Sequence, residues 1–208
     1  MTTPSRRRGR PLKAHASFSQ TREDLIRVGM AILTEKGFLA AGLDEILSAV
    51  NVPKGSFYHY FESKERFGAV LIERYAAYFA GRIDRFLLNA ECSPLERLKE
   101  FTRDAERGMA RHGFRRGCLV GNLGQEMGAL PDGYRRQLSS VFKDWEARTA
   151  KCLEGAKDAG EIAVDADCKQ LATLFWIGWE GAVLRAKLEQ SAKPLRIFAD
   201  GFFAVVQK

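Results

Sequence analysis

Residues 52–61 constrain the architecture of the chain more than any other stretch. Pro53 suits the first turn of a helix, where its missing N–H removes a donor that would be unpaired anyway. The preceding residues 43–50 have an apolar face, and Asn51 stands where the chain must turn, a place where asparagine tolerates a left-handed backbone. The pattern predicts two short helices that meet at an angle, as in a helix-turn-helix.

The second predicted helix has two different sides. Phe57, Tyr60 and Phe61 are three and four residues apart and form an apolar stripe. The residues on or near the other side, which we predict to contact DNA in the major groove, are Lys54, Gly55, Ser56, Tyr58 and His59. A cation with small residues and polar aromatic rings suits a phosphate-lined groove. The alternative is a small amphipathic core helix with incidental aromatic residues.

Residues 54–61, with Glu62-Ser63-Lys64, resemble the recognition-helix signature of the TetR family of bacterial transcriptional regulators. The resemblance runs from about residue 21 to residue 75. It implies a core position for Phe57 and further DNA contacts at Tyr60, Lys64, Gly42 and Leu43. Gly42 departs from the family, which usually has Thr or Ser there, so only backbone N–H groups serve a phosphate at this position.

Positive charge is concentrated at the start of the chain. The formal net charge is +7. The basic residues that precede the first acid are Arg6, Arg7, Arg8, Arg10 and Lys13. The sequence Arg8-Gly9-Arg10-Pro11 resembles an AT-hook, so we predict that Arg8 and Arg10 enter a narrow minor groove from a flexible basic arm, residues 1–18. A solubilising tail is the alternative interpretation, and a membrane surface is the rival partner.

No stretch approaches the 18 apolar residues of a spanning helix, and the basic start is not followed by the apolar region of a signal peptide. We therefore expect a cytoplasmic protein without a membrane partner. The cysteines Cys92, Cys118, Cys152 and Cys168 are far apart and contain no C-x-x-C pair, which predicts reduced thiols with neither a zinc site nor a small disulfide framework. We also predict no other metal site and no cofactor.

Helical periodicity dominates the chain and predicts an all-α fold. An N-terminal three-helix helix-turn-helix domain, residues 19–65, precedes a larger helical ligand-binding and dimerisation domain, residues 66–208. The predicted longer helices cover residues 21–37, 64–89, 94–111, 131–157, 167–190 and 194–206. Asp167-x-x-Gln170 resembles a capping box at the start of the fifth of these.

The last two helices, about residues 167–207, have more apolar surface than a peripheral helix needs. Buried core explains part of this surface. The small residues Gly178, Gly181 and Ala182 allow another helix to approach closely. In the TetR family these two helices form a four-helix dimer interface, so the resemblance implies a homodimer through the same segment.

Residues 115–128 are too glycine-rich for an ordinary helix and too apolar for an exposed loop, so we predict that they wrap a cavity. With residues 175–182 they resemble a narrower TetR branch, the repressors of acrylate metabolism (AcuR-like) and, more distantly, of maleimide-reductase operons (NemR-like). This resemblance implies a small unsaturated or electrophilic acid or carbonyl compound as effector. The candidate ligand-binding residues are Phe101, Cys118, Asn122, Met127, Trp145 and Trp179.

Cys118 is the cysteine with a candidate role, because Arg115 and Arg116 nearby, together with a helix start, would favour its thiolate. A small core residue is the alternative for Cys118, and plain core is the alternative for the tryptophans.

We predict a homodimeric, ligand-responsive transcriptional repressor that binds a pseudo-palindromic operator in double-stranded DNA. The first alternative is an architectural DNA-binding protein without regulation, which the large apolar second half disfavours. The second is a cysteine-dependent enzyme that uses Cys118 and His112. A third, orienting group cannot be identified, so we predict no catalytic residues.

Overall fold

The computed structural model describes residues 12–207, with side chains from Phe18 onward. Within this range the chain forms α-helices and one 3-10 helix, which confirms the predicted all-α fold. The elements in chain order are α1 Leu12–Lys36, α2 Leu43–Ala49, the 3-10 helix η1 Lys54–His59, α3 Lys64–Leu87, α4 Pro94–Ala110, α5 Leu119–Gln125, α6 Asp132–Asp158, α7 Cys168–Glu189 and α8 Lys193–Val206. None of the helices in the described range is long and apolar enough to cross a membrane.

The N-terminal part of the structure, which we call the head, consists of α1, α2, η1 and the first turns of α3. Asn51 has a left-handed backbone (φ 54°), as predicted for the turn. The second helix differs from the prediction, because η1 is a 3-10 helix and Pro53 precedes it in an extended conformation. The backbone N–H of Ser56 donates to the Pro53 carbonyl at 2.9 Å, and that of Tyr60 to the Phe57 carbonyl at 2.9 Å. Gly55 and Ser56 have low helix propensity, which suits this short, tight element.

The helix α1 begins at Leu12, before the predicted start at residue 21, so it overlaps the arm predicted for residues 1–18. Periodicity missed this first part because its helix-forming residues do not continue the apolar stripe that starts at Leu25. The helix ends at Lys36, and the positive φ of 81° at Gly37 suits the position after a helix end.

The helix α3 joins the head to the body. The Ser63 hydroxyl caps its start by accepting from the Arg66 N–H at 3.0 Å. Phe67, in its first turn, packs edge-on against the fully buried Phe57, with ring centroids 5.6 Å apart. The whole of α3 is 24 residues long, about 36 Å, and it continues from Phe67 through the body. A tilt of α3 in the body therefore moves η1, which packs against its first turn.

The body packs α3, α4, α6, α7 and α8 around buried aromatic rings. Trp145 and Trp176 lie at its centre, with ring centroids 4.9 Å apart, and the Trp176 indole N–H donates to the Thr149 hydroxyl at 3.0 Å. Asp167 caps α7 by accepting from the backbone N–H groups of Lys169 and Gln170, which confirms the predicted cap. The glycine-rich residues 115–128 differ from the prediction, because they include the seven-residue helix α5.

Candidate DNA-contacting surface and ligand cavity

The predicted major-groove residues of η1 lie mostly at the surface. Tyr58 is 64% exposed although it is aromatic, and Lys54, Gly55 and His59 are also exposed, while Ser56 is half-buried. An exposed ring beside a cation suits contact with DNA.

Three of the predicted DNA-contacting residues also make contacts within the protein. The Lys54 ammonium lies 3.0 Å from the Asp44 carboxylate of α2, in an exposed pair that contributes little stability and leaves Lys54 free to exchange partners. Tyr60 is half-buried and stacks on Phe18 of α1, with centroids 4.7 Å apart. Lys64 lies over the Phe38 ring at 4.8 Å.

Gly42 is exposed and precedes α2 without a side-chain cap, as its residue type requires, and Leu43 is half-buried behind it. Arg8 and Arg10 lie outside the described residues, so the minor-groove contact stays a prediction. The DNA contacts of the other residues also stay predictions.

A cavity of about 380 Å³ lies between the head and the body. Its walls come from α1, α3, α4, α7 and the segment before α5. The lining residues that carry charge or chemistry are Arg27, Thr34, Tyr75, Tyr78, Arg82, Arg111, His112, Arg116, Cys118, Trp179 and Glu180. The cavity therefore combines an aromatic and thiol-bearing interior with a basic mouth, by which we mean the part lined by Arg82, Arg111 and Arg116.

Two of the six predicted ligand residues, Cys118 and Trp179, line this cavity. The structure places the other four outside its lining. Phe101 and Trp145 are buried in the aromatic core behind Phe79, which does face the cavity. Met127 packs half-buried against the core. Asn122 faces α1, and its side-chain amide donates hydrogen bonds to backbone carbonyls of that helix.

The sequence analysis named Arg116 only as a neighbour of Cys118 and missed Arg27, Arg82 and Arg111, because these residues come from separate parts of the chain and form no local pattern. Glu180, in contrast, could have been identified from the sequence. It is an acid within an apolar stretch of α7, and in the structure it lies beside Cys118 and Gly121, where it leaves no room for a side chain on Gly121. Burial raises the pKa of Glu180 to about 7, against a smaller lowering by the hydrogen bond with Cys118.

The prediction that Arg115 and Arg116 favour a Cys118 thiolate is wrong. Both guanidinium groups lie beside Glu35 of α1, at 3.9 and 3.7 Å. The predicted helix start is present, because Cys118 caps α5 and its sulfur accepts from the Gly121 N–H at 3.4 Å, which lowers the pKa of the thiol. Burial, followed by the negative charge of Glu180, outweighs this contact and raises that pKa well above the ordinary value. The thiol is neutral at pH 7 and is a contact surface, not an activated nucleophile.

The segment that follows Cys118 is hydrogen-bonded to the head. The Asn122 amide donates to the carbonyls of Leu33 and Thr34, both at 2.9 Å. The Glu126 carboxylate accepts from the backbone N–H of Phe38 at 2.8 Å, in the turn between α1 and α2. We call Asn122 and Glu126 the α5 latch. It connects one wall of the cavity directly to the helix-turn-helix.

Two family models match the chain. Residues 25–67 match "Bacterial regulatory proteins, tetR family", and residues 94–202 match "Tetracyclin repressor-like, C-terminal domain". The chain belongs to the TetR family of bacterial transcriptional regulators. The predicted family and the prediction that the protein is not an enzyme are thereby confirmed.

Among curated proteins, the chain is 56% identical over 196 residues to "Transcriptional regulator AcuR" of Cereibacter sphaeroides, covering 94% of this chain and 89% of that protein. It is 32% identical over 175 residues to "HTH-type transcriptional repressor NemR" of Escherichia coli, covering 84% and 88% of the two chains. It is also 32% identical over 191 residues to "HTH-type transcriptional repressor DhaR" of a Mycobacterium species, covering 89% of each.

Solved structures agree in fold. A regulatory protein TetR from Rhodobacter sphaeroides has a TM-score of 0.87 at 55% identity and covers 89% of this chain and 98% of that one. The reduced form of E. coli NemR has a TM-score of 0.82 at 30% identity, with 90% and 97% of the chains covered. These matches span both the head and the body.

Proposed function

We propose that this protein is a cytoplasmic repressor that leaves a pseudo-palindromic operator when a small unsaturated acid or electrophile, such as acrylate, enters the cavity between head and body. The observation that carries the proposal is the shared wall of this cavity. Arg27, Met30, Ala31 and Thr34 of α1 line it together with residues of α3, α4 and α7. A ligand in this position touches the DNA-binding head and the body at once.

Electrostatics sets the orientation of an acid in this cavity. Glu180 is an acid itself, and a second carboxyl group beside it would leave one of the two protonated, which disfavours an ionised ligand carboxylate at that place. The mouth offers Arg82, Arg111 and Arg116 instead. The carboxylate of the ligand therefore lies at the mouth, and its apolar carbons point toward Cys118 and Trp179.

The proposed dimer uses the outer faces of α7 and α8. Among the described residues, the exposed apolar side chains on these helices are Leu174, Ile177, Leu184, Leu188, Ile197 and Val205. Such a patch is typical of a protein interface. Gly178 is not part of the face, because the Phe198 ring of the same chain packs against it, whereas Gly181 has open space and can admit a partner helix.

In a dimer the two recognition elements must lie about 34–36 Å apart to enter successive major grooves. A ligand that wedges α1 away from α3 and α7 changes this separation. Thermodynamics requires that the ligand prefer the separated state, and a coupling of about 1–3 kcal/mol would lower operator affinity about 5- to 150-fold.

The test is an operator-release titration by fluorescence anisotropy, with acrylate added to wild-type protein and to Cys118→Ser. Because the thiol is neutral, we expect both proteins to release DNA at similar acrylate concentrations. Release that disappears in Cys118→Ser would show that covalent capture is required. If no small acid or electrophile releases the operator from wild-type protein, the proposed switch is wrong.

A further inference from the structure

The mouth of the cavity carries more positive charge than a small monocarboxylate requires. Two further depressions adjoin the cavity, and Arg111 lines all three. One depression adds Arg85 to the cationic lining and the other adds Arg115. We call the five arginines around the mouth, Arg82, Arg85, Arg111, Arg115 and Arg116, the arginine ring.

Two guanidinium groups of the ring converge over Gly108 of α4. A Cβ at Gly108 would lie 3.0 Å from Arg82 Nη2 and 3.7 Å from Arg111 Nη2. The absence of a side chain at Gly108 therefore leaves room for both groups. Two guanidinium groups at one place suit a phosphate, which accepts several charge-assisted hydrogen bonds at once.

The ring is only partly neutralised. Asp104 lies 2.7 Å from Arg82 and 3.4 Å from Arg85, while Glu35 pairs loosely with Arg115 and Arg116. Arg111 has no salt bridge with any acid of the described residues. Four of the guanidinium groups thus share two carboxylates and Arg111 pairs with neither, so the ring carries more positive charge than the single carboxylate of a small acid would neutralise.

We infer that the effector is a short acyl group joined to a phosphorylated carrier, as in a coenzyme A thioester, with the acyl end in the cavity and the phosphates on the arginine ring. This inference rests on the proposed function and specifies its ligand. A cavity of about 380 Å³ accommodates the acyl end with part of the uncharged arm that joins it to the phosphates, and leaves the phosphates themselves at the surface. Positive charge around the mouth also concentrates a polyanion and orients its approach.

The first experiment compares acrylate, acryloyl-CoA and free coenzyme A in the operator-release assay, with intact mass measured to exclude covalent modification. We expect acryloyl-CoA to act at concentrations about tenfold or more below those of acrylate. Its binding should also weaken more steeply between about 50 and 200 mM salt, because the contacts are to phosphates. If acrylate releases DNA and acryloyl-CoA is no more potent, the inference is wrong and the proposed function stands. If neither ligand releases DNA, the proposed function itself fails.

The second experiment removes charge from the ring without touching the cavity lining. In Arg85→Gln/Arg115→Gln, both substituted side chains are exposed, at 66% and 70%. The matched control, Lys143→Gln/Lys151→Gln, removes the same charge from exposed positions of α6. We expect the arginine variant to lose about tenfold or more in acryloyl-CoA potency and to keep its acrylate response, while the control keeps both.

Two results would overturn this assignment. An unchanged acryloyl-CoA response in the arginine variant would show that the ring does not bind the carrier. Weaker operator binding by the ligand-free arginine variant, with its thioester response intact, would identify the ring as a DNA-contacting surface. Melting temperatures of both variants, and the single variant Arg115→Gln, separate these results from a folding defect.

Discussion

Glu180→Gln should remove a pH dependence of stability that the cavity imposes on this protein. The pKa of Glu180 is raised from its ordinary 4.5 to about 7 because the carboxyl group is buried. A carboxyl group whose pKa is higher in the folded state holds its proton more tightly there. Its ionisation therefore opposes folding, and stability falls as pH rises from the unfolded pKa through the folded one.

The magnitude follows from the two pKa values. At 1.36 kcal/mol for each pKa unit, the change from 4.5 to about 7 corresponds to about 3 kcal/mol of lost stability above pH 7. At pH 5 less than about 1 kcal/mol of this loss has developed. The amide of the Glu180→Gln variant has no proton to lose, so the variant should gain about 2 to 3 kcal/mol on wild type between pH 5 and pH 8. Neighbouring Cys118 and Tyr75 do not alter this window, because burial raises the pKa values of both well above their ordinary values.

The assay is urea denaturation at several pH values between 5 and 8, at one fixed protomer concentration because a dimer's stability depends on concentration. The matched control is Glu73→Gln, which removes an exposed acid from the surface of α3. Such a surface substitution should change stability by no more than about 0.5 kcal/mol. Parallel pH profiles for wild type and Glu180→Gln would refute the reasoning, because they would mean that the carboxyl group is solvated in the folded protein.

Four further predictions concern the head and its connection to the cavity. Phe57→Ala should lower the free energy of unfolding by about 3–5 kcal/mol, measured by urea denaturation, because the ring is fully buried. Tyr58→Ala should weaken operator binding in a gel shift while circular dichroism stays unchanged, and unchanged affinity would contradict its assignment. Deletion of residues 1–13 should reduce affinity more in A/T-rich than in G/C-rich flanks, whereas a uniform loss would leave only nonspecific charge. Asn122→Ala should keep effector binding, measured by calorimetry, and reduce effector-driven operator release; full release would contradict the role of the α5 latch.

The parts of this protein that were predictable from sequence are those set by local pattern. The three- and four-residue spacing from Phe57 to Tyr60 and Phe61 predicted an apolar stripe, and both phenylalanine rings are buried while Tyr60 is half-buried. Asp167 predicted the start of α7 correctly, because a capping side chain accepts hydrogen bonds from backbone N–H groups only two and three residues later in the chain. These features depend on neighbours in the chain, so the sequence contains the information directly.

The cavity was not predictable in the same way, because its chemistry depends on neighbours in space. The chain places Arg115 and Arg116 beside Cys118, yet both arginines turn to Glu35 of α1, and the thiol faces Glu180 of α7. The sequence therefore predicted a lowered pKa for Cys118, whereas the structure raises it. Glu180 was detectable as an acid in an apolar stretch, but its partner was not.

Thr34 shows how a ligand bound in this cavity can change operator binding without a large rearrangement of the body. It lines the cavity from the last turn of α1, and its carbonyl accepts both the Gly117 N–H and the Asn122 amide at 2.9 Å. Three residues later the chain turns at Gly37, and the Glu126 carboxylate accepts a hydrogen bond from the backbone N–H of the next residue, Phe38. A ligand that displaces this turn of α1 must also strain or break the α5 latch, so the free energy of binding is divided between cavity contacts and movement of the head. Only a ligand whose contacts improve in the displaced state can drive that movement, which is why the effector must bind at the shared wall and not within the aromatic core alone.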